Sequence, residues 1–226
     1  DGLGEEASEA RKWFVLKGGS NNAGGHNYGS GSGPLFYTDT DKTMVSGGTI
    51  SMALKPSANW GVFYSYHNDQ NWLYVGYDNS SKWYYEYKLN GSGSYASISG
   101  LPEIVAGEEL SLGISLSQET LSVTVNGTTV NTAVQAFLNW ANTLTGANGN
   151  LGKFGVMTKG ATTISFADFT YDGTDCMNDA WAFNFERAGQ TMTEEVTAME
   201  PVTGKVTDDA GKPVAGATVR VGVKSA

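Results

Sequence analysis

Hydrophobic and polar residues alternate along much of this chain with a period of two. In "TMVSGGTISMALKP", Ile50, Met52 and Leu54 alternate with smaller residues before Pro56, as in a strand with one buried face. Residues 60–66, 71–77 and 82–88 repeat the pattern and are separated by the turn-rich segments "HNDQN" and "DNSSK". These segments predict three consecutive antiparallel strands.

The later part of the chain carries a hairpin signal and one helical segment. Asn126-Gly127 lies between alternating valines, and a two-residue hairpin turn needs residues that tolerate positive φ at both positions. The segment "AVQAFLNWANTL" is the one plausible helix. With roughly a dozen short strands, the pattern predicts an all-β, two-sheet antiparallel sandwich with at most one short helix.

Composition and charge exclude several classes of function. The formal net charge is -9, whereas binding to a phosphate backbone relies on clustered Lys and Arg. No apolar run approaches the roughly 18 residues of a membrane span. Cys176 is the single cysteine, which excludes an intramolecular disulfide and a multi-thiolate metal site. We therefore expect neither nucleic acid nor a membrane span.

Eleven aromatic residues lie between residues 60 and 88, and strand parity sorts them onto two faces. Parity directs one set toward the core: Val62, Tyr64, Tyr66, Leu73, Val75, Tyr77, Trp83, Tyr85 and Tyr87. It directs the other set outward: Phe63, Ser65, Trp72, Tyr74, Tyr84, Glu86 and Lys88. If the strands pair in order, the outward set forms adjacent rows on one sheet face.

Such a surface suits a carbohydrate. The apolar face of a pyranose ring lies on aromatic rings, while its hydroxyl groups need hydrogen-bonding partners such as Glu86, Lys88, His67 or Asn68. The outward set, with His67 and Asn68, is therefore the predicted ligand site. The alternatives are that the rings are ordinary packing, or that the face is covered by the Ser20–Gly33 loop or by a neighbouring domain.

Catalytic chemistry has weaker support in the sequence. Glycosidases need two carboxyl groups about 5–10 Å apart, and Glu86 stands alone on its strand, while Glu108 and Glu109 precede a strand. His26 and His67 are the only histidines, which excludes a multi-histidine zinc site. We predict a non-catalytic chain, with a hydrolase of scattered carboxylates as the remaining alternative.

The order of four segments carries a family resemblance: "GVFYSYHNDQNWLYVGYDN", "KWYYEYKLNGSGSYASI", "GEELSLGISLSQETLSVTVNGT" and "GKFGVMTKGATTISFADFTYDG". Residues from about Leu35 to Asp172 resemble the concanavalin A-like, laminin-G-like jelly-roll modules of secreted bacterial glycoside hydrolases. They are similar in particular to the accessory sandwich of endo-α-N-acetylgalactosaminidases that act on mucin-type O-glycans. The resemblance implies a jelly-roll fold and a glycan ligand containing galactose or N-acetylgalactosamine.

The resemblance also implies a cofactor, a location and further modules. Such modules often hold a structural calcium ion. The residues that match its ligand positions here are Asp168 together with Asp39 or Asp41. An extracellular, secreted or bacterial cell-surface protein is implied. Residues 201–226 resemble the start of a carboxypeptidase-regulatory-like domain. We therefore expect a carbohydrate-binding sandwich over residues 1–200, other modules in a longer parent chain, and a structural spacer or adhesion module as the alternative function.

Overall fold

The computed structural model describes residues 12–17, 35–38, 48–68, 70–144, 152–158, 162–176, 182–185 and 191–196. Asp39, Asp41, the Ser20–Gly33 loop and the segment 201–226 lie outside these residues, as does the predicted boundary at residue 200. Among the described residues, no helix has the length and apolarity needed to cross a membrane.

Two antiparallel sheets form the described part of the molecule. Strands of the first sheet are β1 (Lys12–Lys17), β3 (Thr49–Pro56), β8 (Leu110–Leu116), β9 (Thr120–Val125), β10 (Thr128–Ala133), β12 (Thr163–Tyr171), β13 (Thr174–Asp175) and β15 (Thr191–Val196). Strands of the second are β2 (Leu35–Thr38), β4 (Trp60–Asn68), β5 (Asn71–Asp78), β6 (Lys82–Leu89), β7 (Ser92–Ser97), β11 (Lys153–Thr158) and β14 (Ala182–Phe185). One helix, α1 (Gln135–Thr143), follows β10.

Strand order explains how distant segments meet. The first sheet runs β10-β9-β8-β3-β12-β1-β15, with β13 beside β12, and the second runs β14-β2-β11-β4-β5-β6-β7. The two sheets pack face to face through the alternating apolar residues of their strands. This arrangement confirms the predicted all-β, two-sheet antiparallel jelly-roll sandwich. The three consecutive strands predicted at residues 60–66, 71–77 and 82–88 correspond to β4, β5 and β6.

The main core lies between the sheets and follows the predicted parity closely. Trp60 and Trp83 are buried in it edge to face, with ring centroids 5.5 Å apart. The Tyr64 hydroxyl donates a 2.7 Å hydrogen bond to the Gly48 carbonyl oxygen, which satisfies a buried polar group. Burial raises the pKa of Tyr64 well above its ordinary value, so the phenol stays neutral.

The predicted hairpin and helix are also present. Asn126 and Gly127 have φ values of 47° and 80° and connect β9 to β10, and Asn126 Oδ1 accepts a 2.8 Å hydrogen bond from the Ser111 amide. Helix α1 buries Phe137, Leu138 and Ala141 against the core at the end of the sandwich. Its spacing of apolar residues over three and four positions is that of an amphipathic helix.

Candidate functional site

The predicted aromatic platform lies on the outer face of the second sheet, but its rings are buried. Phe63, Trp72, Tyr74 and Tyr84 are each at most 4% exposed. They pack with Met157 and the partly buried Tyr66 into a second hydrophobic cluster, separate from the main core. We call these six residues the outer cluster. The expectation that the platform rings are open to water is therefore wrong.

Ring contacts within the outer cluster explain part of this burial. The ring of Phe63 meets that of Trp72 edge to face at 5.8 Å and that of Tyr74 at 5.1 Å. The rings of Tyr74 and Tyr84 are 5.9 Å apart. Burial raises the pKa of Tyr84 well above its ordinary value, so its phenol stays neutral. The outer face is thus packed as a second core.

Strand β4 contains a bulge that changes the predicted parity. Phe63 pairs with Tyr74, but the next pair is Ser65 with Leu73, so Tyr64 is the extra residue. Residues directly opposite each other share a sheet face. Ser65 therefore faces the core side and is fully buried, while Tyr66 joins the outer cluster. The predictions of Ser65 outward and Tyr66 inward are both wrong.

The fold places the polar residues of the predicted site in different environments, some buried and some exposed. Glu86 is 8% exposed and lies between Tyr74 and Tyr95 in the strand register, and Lys88 is half-buried opposite Trp72. Contrary to the open platform we predicted, Glu86 is a buried carboxyl group.

His67 and Asn68 remain exposed at the end of β4. Asn68 Oδ1 accepts hydrogen bonds from the Gln70 amide at 2.9 Å and from Asn71 Nδ2 at 3.1 Å. These contacts hold the turn between β4 and β5 in place. Ligand binding by the nine predicted residues stays a prediction.

A different group of aromatic side chains is partly open to solvent. Tyr85, Tyr87 and Trp140 are half-buried and His67 is exposed, and we call these four residues the aromatic ledge. The Tyr85 and Tyr87 rings are nearly parallel, with an interplanar angle of 11° and centroids 6.3 Å apart. The ledge therefore presents two stacked rings that are partly open to solvent.

Phe137 of α1 lies in the middle of the aromatic ledge and is fully buried. Its ring centroid is 6.3 Å from that of Tyr87 and 5.2 Å from that of Trp140. The imidazole of His67 meets the indole of Trp140 edge to face at 5.7 Å. Phe137 thus packs between Tyr87 of β6 and Trp140 of α1.

The residues of the neighbouring strand opposite the two ledge tyrosines are small. Tyr87 and Tyr85 are opposite Ser94 and Ala96 of β7, whose side chains are too short to cover a ring. The Tyr85 hydroxyl also donates a 3.4 Å hydrogen bond to the Ala133 carbonyl oxygen before α1. The two tyrosines were predicted to face the core, and they do pack against it, but only in part.

The sequence did not predict the ledge, because the ledge is assembled by helix α1 and by a second bulge in β4. Phe137 and Trp140 are three residues apart in α1 and lie on one side of it. The register of β4 shifts again between Tyr66 and Asn68, which makes His67 an extra residue. The spacing of the two aromatic residues in "QAFLNWANT" was the available signal.

The predicted calcium ligands are only partly described. Asp168 is exposed, has a φ of 51° and lies where the pairing of β12 with β3 shifts register. Nearby, Asp172 Oδ1 accepts a 2.7 Å hydrogen bond from the Thr49 amide, so this carboxylate connects two strands. Within the described ranges, no group of three His, Cys, Asp or Glu side chains could hold a metal ion. The calcium site stays a prediction.

Comparisons with solved structures gave likenesses of low identity. The carbohydrate-binding module CBM66 from Bacillus subtilis has a TM-score of 0.45 and 12% identity, covering 72% of this chain and 96% of its own. Chicken galectin 2 has a TM-score of 0.40 and 10% identity, covering 72% and 98%. The heptameric SAP-like pentraxin from Limulus polyphemus has a TM-score of 0.45 and 12% identity, covering 84% and 97%. Likenesses of this level carry no functional information.

Sequence comparisons were more specific. A comparison with curated proteins gave no match. The family model described as the endo-alpha-N-acetylgalactosaminidase N-terminal domain matches residues 38–168, more than half of the 226 residues. This range contains both the outer cluster and the aromatic ledge. The chain therefore belongs to the family of endo-alpha-N-acetylgalactosaminidase N-terminal domains.

Proposed function

We propose that this chain is a non-catalytic carbohydrate-binding module that binds glycan on the aromatic ledge. The observation that carries the proposal is the row of half-buried rings, Tyr85, Tyr87 and Trp140, in a domain of a glycosidase family. Stacked rings provide the flat apolar surface that the C–H face of a pyranose needs. His67, whose ring meets that of Trp140, and the next residue, Asn68, are exposed and supply hydrogen-bonding groups for the sugar hydroxyls.

The finer proposal concerns the ligand and the cellular setting. The family's name points to glycans that contain N-acetylgalactosamine, and we propose a mucin-type O-glycan bearing this sugar or galactose. We also propose that the parent protein is an extracellular or cell-surface glycosidase whose catalytic domain lies elsewhere. The module would then hold substrate near that domain and raise its effective concentration.

We expect the affinity of the isolated chain to be weak. Each sugar–ring contact contributes about 0.5–1.5 kcal/mol. Two or three such contacts with a few hydrogen bonds correspond to a dissociation constant in the micromolar to millimolar range. Affinity of this size is useful when a linked domain binds the same substrate molecule.

The test compares a half-buried aromatic residue of the ledge, on α1, with an exposed aromatic residue on the outer face of β7. Trp140→Ala removes a ledge ring, and we expect binding to a mucin affinity gel to fall about five- to tenfold, since one stacking contact is lost. Tyr95→Ala is the matched control, because Tyr95 is 42% exposed but lies on the outer face. Circular dichroism checks that both variants fold.

Three results of the binding experiment and one of a hydrolysis assay are informative. Loss of binding in Trp140→Ala alone supports the ledge as the glycan-binding site. Loss of binding in Tyr95→Ala alone indicates instead a site on the outer face, where the sequence predicted it. An absence of binding to every mucin and plant polysaccharide by the unmodified chain contradicts the proposal. Release of p-nitrophenol from aryl glycosides by the purified chain contradicts its non-catalytic part.

The burial of the outer cluster favours a second candidate function, a structural spacer or adhesion module. Phe63, Trp72, Tyr74 and Tyr84 are packed as a core and not as an open platform. A module of this kind would contact neighbouring domains and bind no sugar. A folded chain without measurable glycan affinity, whose removal from the parent protein lowers its thermal stability, would support this alternative.

A further inference from the structure

The aromatic ledge has two ends, which a buried ring separates. Tyr87 and Trp140 both contact Phe137, with ring centroids at 6.3 Å and 5.2 Å from its own. Among the described residues, no ring contact joins Tyr87 and Trp140 directly. Phe137 is fully buried and presents little ring surface to a ligand. The partly open ring surface is therefore divided between a tyrosine end, Tyr85 and Tyr87, and an indole end, Trp140 and His67.

The row of rings is longer than one sugar. The centroid of Tyr85 is 6.3 Å from that of Tyr87, and the centroid of His67 is 5.7 Å from that of Trp140. In the part of the chain that the structure describes, neither Tyr85 nor His67 contacts the Phe137 ring, so both are outer members of the row. A pyranose ring and an aromatic ring are similar in size, so one sugar unit covers about one aromatic side chain. One sugar can therefore occupy either end of the ledge but not both.

Both ends of the ledge also carry polar groups that are available to a ligand. Within the described ranges, the Tyr87 hydroxyl, Trp140 Nε1 and the His67 imidazole make no hydrogen bond to another residue. A sugar hydroxyl both donates and accepts hydrogen bonds, as the hydroxyl of a serine does, so it can pair with any of these groups. Each end thus combines ring surface with a hydrogen-bonding group, as a subsite for one sugar unit requires.

We propose, building on the proposed function, that the ledge binds an oligosaccharide chain of at least three sugar units and not a single terminal sugar. One unit lies on the tyrosine end, one lies on the indole end, and a middle unit spans Phe137. A unit held at one end places the far unit near the other end. The second contact therefore costs little additional translational freedom and adds to the affinity.

Isothermal titration calorimetry of the full chain tests this inference with three glycans of increasing length. They are N-acetylgalactosamine, galactosyl-N-acetylgalactosamine, and the trisaccharide in which N-acetylglucosamine extends the galactose. We expect the trisaccharide to bind about three- to tenfold more tightly than the disaccharide, which is the increase that one added ring contact gives. Trp140→Ala should abolish this increase, whereas the outer-face control Tyr95→Ala should preserve it.

Nuclear magnetic resonance of the unmodified chain keeps the test decisive if Trp140→Ala fails to fold. The trisaccharide should shift the Trp140 indole N–H resonance and the Tyr87 amide resonance with one common dissociation constant. That constant should be lower than the constant for the disaccharide, since only the longer glycan reaches both ends.

Equal affinities for the disaccharide and the trisaccharide overturn this inference but leave the proposed function intact. So does a length dependence that persists in folded Trp140→Ala, or a trisaccharide that shifts resonances at one end only. Retention of the chain on the mucin gel without binding to any of the three glycans also overturns the inference. A chain that is not retained on the gel either overturns the proposed function as well.

Discussion

The ring of Tyr74 lies directly on the backbone of Gly61 and Gly76, which are opposite each other in β4 and β5. A Cβ atom on Gly61 would be 2.1 Å from Tyr74 Cζ, and one on Gly76 would be 2.4 Å from its Cε1. The same position on Gly76 would be 2.6 Å from Tyr84 Cζ. These contacts explain how a strand of alternating aromatic residues can have two buried faces, since glycine leaves room for rings on the second face.

We expect Gly61→Ala to destabilise the fold by about 1–3 kcal/mol, because the added methyl group overlaps a buried ring that is packed on all sides. Gly113→Ala is the matched control in another strand, where a Cβ atom would be 3.6 Å from the nearest atom, Thr124 Cβ. This control should change stability little, or raise it. Urea unfolding measures both, and equal effects would contradict the packing argument.

At the scale of elements, the turn between β5 and β6 is organised by one carboxylate. Asp78 Oδ1 accepts hydrogen bonds from the Ser80 amide and hydroxyl, both at 2.9 Å, and from the Ser81 amide. Burial alone would raise the pKa of Asp78, but these hydrogen bonds outweigh it and hold the pKa below its ordinary value of 3.8. The ionised form therefore stabilises the turn.

The sign of the pH dependence follows from this lowered pKa. The contribution of Asp78 is fully present above the pKa of the unfolded state and is lost as pH falls through the lower folded pKa. Asp78→Asn keeps an acceptor oxygen but does not titrate. We expect the stability difference between the unmodified chain and this variant to shrink from about pH 5 to about pH 2 in denaturant titrations. A constant difference would show that Asp78 does not act through its charge.

The elements themselves were largely predictable, whereas their irregularities were not. Alternating Ile50, Met52 and Leu54 identified β3, and Asn126-Gly127 identified the β9–β10 hairpin, because each signal is local. The bulges at Tyr64 and His67 depend on how β4 pairs with β5, and no local residue preference marks them. One extra residue reverses the faces of all later side chains, so the error at Ser65 and Tyr66 followed directly.

At the scale of the whole molecule, strands β4, β5 and β6 contribute to both the main core and the outer cluster. Trp60 and Trp83 lie in the main core, and Trp72 lies in the outer cluster. A side chain on either face packs on the same backbone, so neither cluster can be lost without disturbing the strands of the other. The described sandwich should therefore behave as one cooperative unit.

We expect tryptophan fluorescence and far-ultraviolet circular dichroism to give the same unfolding midpoint in guanidinium chloride. The unmodified chain is compared with the Trp72→Phe variant, because Trp72 is the tryptophan of the outer cluster and the difference between the two fluorescence curves reports on that cluster. Coincident midpoints for this difference and for the strand signal indicate a single transition. A difference signal that changes before the strand signal is lost would show that the outer cluster opens independently.

The sequence by itself determined the all-β class, the antiparallel sandwich, the short helix α1 and most of the main core, because alternation and turn residues act over a few neighbouring positions. Its likeness to an endo-α-N-acetylgalactosaminidase module was confirmed by the family match. Only the tertiary structure decided which rings are covered. Exposure depends on what packs over a face: Tyr85 and Tyr87 stay half-buried at the edge of the main core, whereas Trp72 and Tyr84 are buried within the outer cluster.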